Sequence, residues 1–323
     1  MAVYTHLPAE ALAGLIAEYD VGALVSAKGI AEGVSNSNWV VETSGGDGTG
    51  ARFILTMYER RIDLEDLPFF LDLLDHLSAA GAPVPRTIHD RSGKSFRSIH
   101  GKAVALIEFL PGVSIDHPTP GQAHAVGAAL AQMHRAALDF PQSRANALDL
   151  VTNLSTLAAC GEAALAAIDP ALAGCIARSE AIAAAWPEDL PQSVIHSDLF
   201  PDNVLMLGDR VSGMIDFYFA CTDAMAYDLA VTHAAWSFER GGSKYRPDIG
   251  SALIQGYESV RPLEAAERAA LTLLAQGACL RFVASRTEDW FETPTDAHVT
   301  RKDPMDFARR WDFYAKQGHR VFA

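Results

Sequence analysis

The chain reads as an α+β protein of two lobes, a small antiparallel-sheet lobe with one helix followed by a larger, mainly helical lobe. Three observations predict this. Short β-branched or apolar runs bounded by Gly, Ser and Asn fill the first third. From about Thr119 the pattern changes to long helical periodicities. One polar stretch, VIHSDLFPDNVLMLGDRVSGMIDFYFA (Val194–Ala220), interrupts the helices. The expected division is 1–110 and 111–323, and a cleft between the lobes is where a ligand is expected.

Each element has its own signal. Gly22–Lys28, Trp39–Glu42 and Arg52–Tyr58 read as strands, and SGGDGTG (Ser44–Gly50) turns the chain between two of them. A helix over Leu64–Ala80 follows from Leu67, Phe70, Leu71, Leu74 and Leu77 at spacings of three and four. Gly81, Pro83 and Pro85 stop it. Ser95–His100 and Ala103–Phe109 are two further strands, closed by Pro111-Gly112. Helices are then predicted over Gly121–Leu138, Leu154–Ile168, Ala171–Trp186, Ala224–Phe238, Ile249–Val260, Leu263–Trp290 and Asp306–His319.

Composition narrows the function. Lys and Arg number 26 against 40 Asp and Glu, a net charge of −14, which argues against nucleic acid as a partner. A small phosphate ligand with its own local cation remains compatible. Cys160, Cys175, Cys221 and Cys279 form no C-x-x-C pair and read as packed thiols in a reducing compartment. MAVYTHLPAE lacks the basic start and apolar run of a signal peptide, and no run approaches the ~20 apolar residues of a membrane span. The expectation is a cytoplasmic chain with no membrane partner.

The polar stretch carries the chemistry. Buried carboxylates are costly, so its acceptors either satisfy one another and nearby backbone or wait for a cation. Gln192–Ile195 is a strand running into His196, and Val204–Leu207 with Val211–Ile215 forms a hairpin around Gly208-Asp209. Asn203 enters this hairpin and Asp216 leaves it, which makes them neighbours able to share one hard cation such as Mg²⁺. Asp198, at the mouth of the loop, is placed to accept the proton of an attacking hydroxyl. His196 reads as a brace for the loop. H-x-D-x-x-x-x-N followed by hydrophobic-Asp-Phe is the spacing of a kinase catalytic loop and its metal-binding Asp. An Asx-turn is the ordinary alternative for any one of these residues; their joint order and spacing favour phosphoryl transfer.

HSDLFPDNVL (His196–Leu205) with MIDF (Met214–Phe217) resembles the signature of the aminoglycoside phosphotransferase superfamily, the small-molecule branch of the protein-kinase-like fold. Flanking segments resemble its homoserine kinase branch. These are MAVYTHL, GVSNSNWVVET, RFILTMYERR, LPFFLDLLDHLSAAGAPVP, CLRFVASRTEDWF and VTRKDPMDF. The resemblance implies transfer of the ATP γ-phosphate to the hydroxyl of L-homoserine, with Asp198 as base and Asn203 and Asp216 on Mg²⁺. It also implies a hinge at about 107–112, where backbone near Glu108, Phe109 and Leu110 meets adenine. The nucleotide loop becomes GIAEGVSNSNW (Gly29–Trp39), with Gly33, Ser35, Asn36, Ser37 and Asn38 around phosphate.

Two departures from the kinase pattern stand out. Thr56 occupies the register of the strand Lys that normally grips the α- and β-phosphates, and the nearest cations are Lys28, Arg60 and Arg61. Tyr218 stands in place of the Gly of D-F-G. An amino-acid substrate wants an arginine fork for its carboxylate, for which Arg281 and Arg286 are candidates, unless Arg286 pairs with Glu288 or Asp289. Asp202, Tyr218, Asp223 and His233 are further pocket candidates. Choline, ethanolamine or aminoglycoside kinases of the same fold are the rival enzymes; a catalytically silent nucleotide-binding protein is the rival outside them.

Overall fold

A computed structural model describes residues 7–30, 36–59, 63–292 and 301–323. The chain forms two compact units. One comprises Met1–Gly112 with Ser212–Tyr218, the other Val113–Val211 with Phe219–Ala323.

The first unit is built on an antiparallel sheet. Its strands are β1 (Leu24–Gly29), β2 (Asn36–Thr43), β3 (Ala51–Tyr58), β4 (Thr87–Ile88), β5 (Arg97–Ile99) and β6 (Lys102–Glu108). The order is β1-β2-β3-β6-β4, with β5 also paired to β6. Strand alternation puts Trp39, Val41, Phe53, Leu55, Met57, Val104 and Leu106 on one face. There they join Leu12, Leu15 and Ile16 of a helix, α1 (Ala9–Ile16), in one core. This second helix corrects the expectation of a single one. α1 is only eight residues long, too short for its periodicity to stand out. The expected helix is α2 (Leu67–Ala79), whose apolar face is buried. Ser212–Tyr218 ties into this unit where Met214 N–H donates to the Pro83 carbonyl at 2.7 Å.

The second unit is mainly helical, with helices α3 (Pro120–Ala136), α4 (Leu150–Cys160), α5 (Glu162–Ile168), α6 (Cys175–Ala184), α7 (Met225–Trp236), α8 (Pro247–Val260), α9 (Ala265–Glu292) and α10 (Met305–Val321). The single helix expected over Leu154–Ile168 is two, because Gly161 at φ +78° breaks it. The sequence signal for Ala171–Trp186 shrinks to α6, whose start is set by Gly174 in the left-handed region. α7 is buried at every residue and forms the centre of the unit. Beside it β7 (Gln192–Ile195) pairs antiparallel with β10 (Cys221–Ala224), and β8 (Val204–Leu207) with β9 (Arg210–Met214) makes the expected hairpin.

α3 and α8 approach so closely that two glycines are required. A Cβ on Gly127 would lie 2.0 Å from the Leu253 carbonyl oxygen, and one on Gly256 1.9 Å from that of His124. Neither neighbour is a side chain that can swing away. Gly256→Ala is expected to lower unfolding free energy by about 1–3 kcal/mol, the usual range for overpacking. Urea unfolding reads this as a lower midpoint at unchanged slope.

All four cysteines are free thiols, with Cys175, Cys221 and Cys279 buried. No single helix among the described residues is long and apolar enough to cross a membrane; α4 and α5 pass the test only as a pair bent by 82°.

Candidate active site

β7 delivers the chain into a loop whose backbone is pinned from several sides. Asp228, buried in α7, accepts the backbone N–H of His196 at 2.8 Å and of Ser197 at 2.7 Å. The His134 ring lies 2.9 Å from the same carboxylate through Nε2, and 2.8 Å from the Tyr257 hydroxyl through Nδ1. Burial pushes the Asp228 carboxyl up, but the hydrogen bond from His134 and the electrostatic influence of His134 and His196 outweigh it and hold it below its ordinary value. The clamp has something to hold. Ser197 sits at φ +68°, a conformation that costs a non-glycine residue on the order of 1–3 kcal/mol.

Beyond this turn, Asp198 N–H donates to His196 Nδ1 at 3.2 Å. His196 therefore braces the loop through an unprotonated nitrogen. The Asn203 amide donates to the Asp198 carbonyl at 2.8 Å, and the Trp236 indole N–H to the Leu199 carbonyl at 2.9 Å. Phe200 packs on Phe282 and Phe307. With its backbone so held, the Asp198 carboxylate has few ways to turn.

Arg281, only 2% exposed on α9, stands beside it. Its guanidinium donates to the carbonyl and hydroxyl of Ser197, and Nη2 lies 3.7 Å from the Asp198 carboxylate. Burial raises the Asp198 pKa; Arg281, His196 and Lys302 oppose that, and Asp202 adds to it. A carboxylate made more basic by its surroundings, yet 19% exposed, suits proton abstraction from a hydroxyl.

Asp216 adopts φ +66° in the segment that follows β9. Two residues on, the Tyr218 hydroxyl lies 3.1 Å from that of Tyr58, and its ring meets Tyr58 and Phe70 edge-on. Burial pushes the Tyr218 phenol up to about 12. Tyr218 thus packs within the first unit. No group of three or more His, Cys, Asp or Glu side chains among the described residues could hold a metal. Asn203 and Asp216, expected to share a metal, would contribute one carbonyl and one carboxylate. Asn203's amide nitrogen is committed to the loop, so its carbonyl oxygen is the donor left over. Hard oxygen donors of this sort fit Mg²⁺.

The other expected residues fall as follows. Gly33, Ser35, Arg60 and Arg61 lie outside the described residues. Asn36, Ser37 and Asn38 were expected in a phosphate loop but belong to β2, because pairing with β3 extends the strand to include them. The Ser37 hydroxyl donates to Glu59 at 2.6 Å, and Asn38 accepts from Thr56 at 2.8 Å. Thr56 itself is buried. Glu108 ends β6, its backbone N–H on the Arg86 carbonyl and its carboxylate accepting the Arg86 N–H; Phe109 and Leu110 follow it. Asp202 is exposed in a short turn, Pro201–Asn203.

Asp223 accepts from the Asn146 amide at 2.8 Å and lines a cavity of about 50 Å³ with Asn146, Asn153, Trp186 and Tyr227. His233 is enclosed by Tyr245, Tyr314 and Phe322, with burial pushing it down to about 3, so it is a packing residue rather than a pocket group. Arg286 pairs with Asp306 at 3.1 Å and with the Asp303 carbonyl at 2.9 Å, in place of the expected Glu288 or Asp289. Sequence reasoning missed Asp228 and His134. The signal was a lone Asp inside the wholly apolar run MAYDLAV.

Residues 26–263 match the phosphotransferase enzyme family. The chain belongs to that family. Among curated members it is 48% identical to the homoserine kinase of Granulibacter bethesdensis, over 97% of each chain. It is 46% identical to that of Brucella canis, covering 97% of this chain and 94% of the relative. Solved phosphotransferases share the fold at low identity. One is an amicoumacin kinase in complex with AMP-PNP and Ca²⁺ (TM-score 0.69, 14% identity, 98% and 93% of the two chains). Another is the choline kinase of Cryptosporidium parvum (TM-score 0.63, 15% identity, 97% and 96%).

Proposed function

We propose that this chain is an ATP-dependent kinase of L-homoserine, yielding O-phospho-L-homoserine and so serving threonine biosynthesis in the cytoplasm. The observation that carries the substrate is identity of 46–48% to homoserine kinases along nearly the whole chain. The geometry around Asp198 supports the reaction type.

In this reading Asp198 orients the acceptor hydroxyl and takes its proton as the oxygen attacks the γ-phosphorus. Asn203 and Asp216 would hold Mg²⁺, which neutralises phosphate charge when bound. His196 is a positioning residue. Arg281 keeps the carboxylate in place and offers a cation near the acceptor, and Glu108–Leu110 would present backbone to adenine. Tyr218, Asp223 and Arg286 have structural partners, as Arg281 has in Ser197; what favours Arg281 among the substrate candidates is its place 3.7 Å from the Asp198 carboxylate.

The test is ADP release from Mg-ATP with L-homoserine, D-homoserine, L-serine, choline, ethanolamine and kanamycin as acceptors. Turnover with L-homoserine above the others is expected. Preference for choline or kanamycin would overturn the substrate, and no turnover with any acceptor would favour a silent nucleotide-binding protein.

The pH profile has a definite sign. The base must be ionised, so kcat/KM falls as pH drops through the Asp198 pKa. Because that pKa is raised, the acid limb should lie above the ordinary carboxylate value of 3.8. Removing the opposing positive charge with Arg281→Met should move the limb to still higher pH. A limb that stays in place would show that Asp198 is not the group being titrated.

A further inference from the structure

The triphosphate of a nucleotide needs protein cations as well as a metal ion, and β3 offers Thr56 where the lysine would stand. The sheet register locates a substitute. Residues directly opposite in an antiparallel pair share a face. Lys28 pairs with Val40, Val40 with Ile54, and Ile54 with Ile107. One step along, Asn38 pairs with Thr56 and Thr56 with Ala105. These residues form the face turned away from α1, since the alternate positions Trp39, Val41, Leu55, Met57, Val104 and Leu106 are the ones in the core.

This second face is graded. Val40 and Ile54, half-buried, continue into the buried Ala105 and Ile107 as an apolar strip, and half-buried Asn38 with buried Thr56 makes its polar end. Neither polar residue carries charge, and they are hydrogen-bonded to each other. Lys28 is exposed at the strip's edge and makes no ion pair among the described residues. Its stem can span the diagonal step of about 7–8 Å toward Asn38.

The other described cations of the sheet are engaged. Arg52 shares the face but is held by Glu42 at 3.0 Å. Arg97 and Lys102 lie on the core side, the first opposite Val104, and are paired with Asp90 and Glu59.

We propose that Lys28 is the nucleotide-binding cation, reaching across the sheet face to the α- and β-phosphates in place of the missing β3 lysine. This rests on the ATP-dependent kinase reading. Binding of adenosine and of ADP, by calorimetry, separates the two. Wild type should bind ADP more tightly than adenosine. Lys28→Met should weaken ADP by about 10- to 100-fold, the worth of a hydrogen bond to a charged group, and leave adenosine within about twofold. Lys28→Arg should recover most of the loss. Lys94→Met, the same charge change in the turn before β5, should leave both affinities alone.

An unchanged ADP-to-adenosine ratio in Lys28→Met would overturn the assignment. So would parallel loss of both ligands, since that marks a structural residue. If wild type binds neither, the kinase reading itself falls and Lys28 has no nucleotide to hold.

Discussion

Asp198→Asn should lower kcat by about 10²- to 10⁴-fold, the usual span for removing a positioned base, with little change in the KM of ATP or of the acceptor. The substitution keeps the shape of the side chain. It touches none of the bonds that fix the loop, because Asn203, Phe200 and His196 engage the backbone of Asp198 and not its carboxylate. Arg281 loses an opposite charge at 3.7 Å but keeps the Ser197 carbonyl and hydroxyl. The fold should therefore persist. Linkage gives the sign. A carboxyl whose folded pKa is raised destabilises the fold once pH exceeds its unfolded value, because the folded protein holds the proton more tightly. The wild type should lose stability relative to the Asn variant as pH rises from 3.8 through that raised pKa. A folded variant that retains full kcat would remove Asp198 from the base role.

The sequence pointed to the family and to candidate residues more readily than to the scaffolding around them. Asp198, Asn203 and Asp216 stand out as candidates because their spacing and their place at the ends of apolar strands are written in the chain. Strand positions were legible as well, since β1, β2, β3 and β6 carry their own β-branched signal. Where the outcome depends on a distant partner, the reading fell short. β10, CTDA, has two polar residues in four and is a strand only because β7 pairs with it. Asn36–Asn38 have poor strand propensity, yet the register with Tyr58, Met57 and Thr56 overrides it. Local helical spacing suggested Glu288 or Asp289 for Arg286, while the actual partner, Asp306, comes from another helix. α1 was missed for brevity alone.

Asp228→Asn should be the more damaging change, although Asp228 lies outside the reacting groups. Its carboxylate accepts two backbone N–H groups and faces a histidine. An Asn has one oxygen and one NH₂. In either orientation a donor is turned toward a donor in a fully buried place, at the Ser197 N–H or at the His196 N–H and the His134 ring. Breaking a buried pair in this way costs about 3–5 kcal/mol, enough to consume much of a typical domain's stability. What remains folded should have lower kcat, because the φ +68° turn at Ser197 is no longer clamped and Asp198 follows it directly. The pH dependence runs opposite to that of Asp198. A carboxyl whose folded pKa is depressed stabilises the fold above its unfolded value, and that contribution is lost as pH falls through the lowered folded pKa. The stability gap between wild type and Asp228→Asn should thus be full above pH 3.8 and shrink only in stronger acid. Unfolding curves of both Asn variants across acid pH decide the matter. If the Asp228→Asn gap widened on acidification, or if its kcat matched wild type in the folded fraction, the clamp would have no part in holding Asp198.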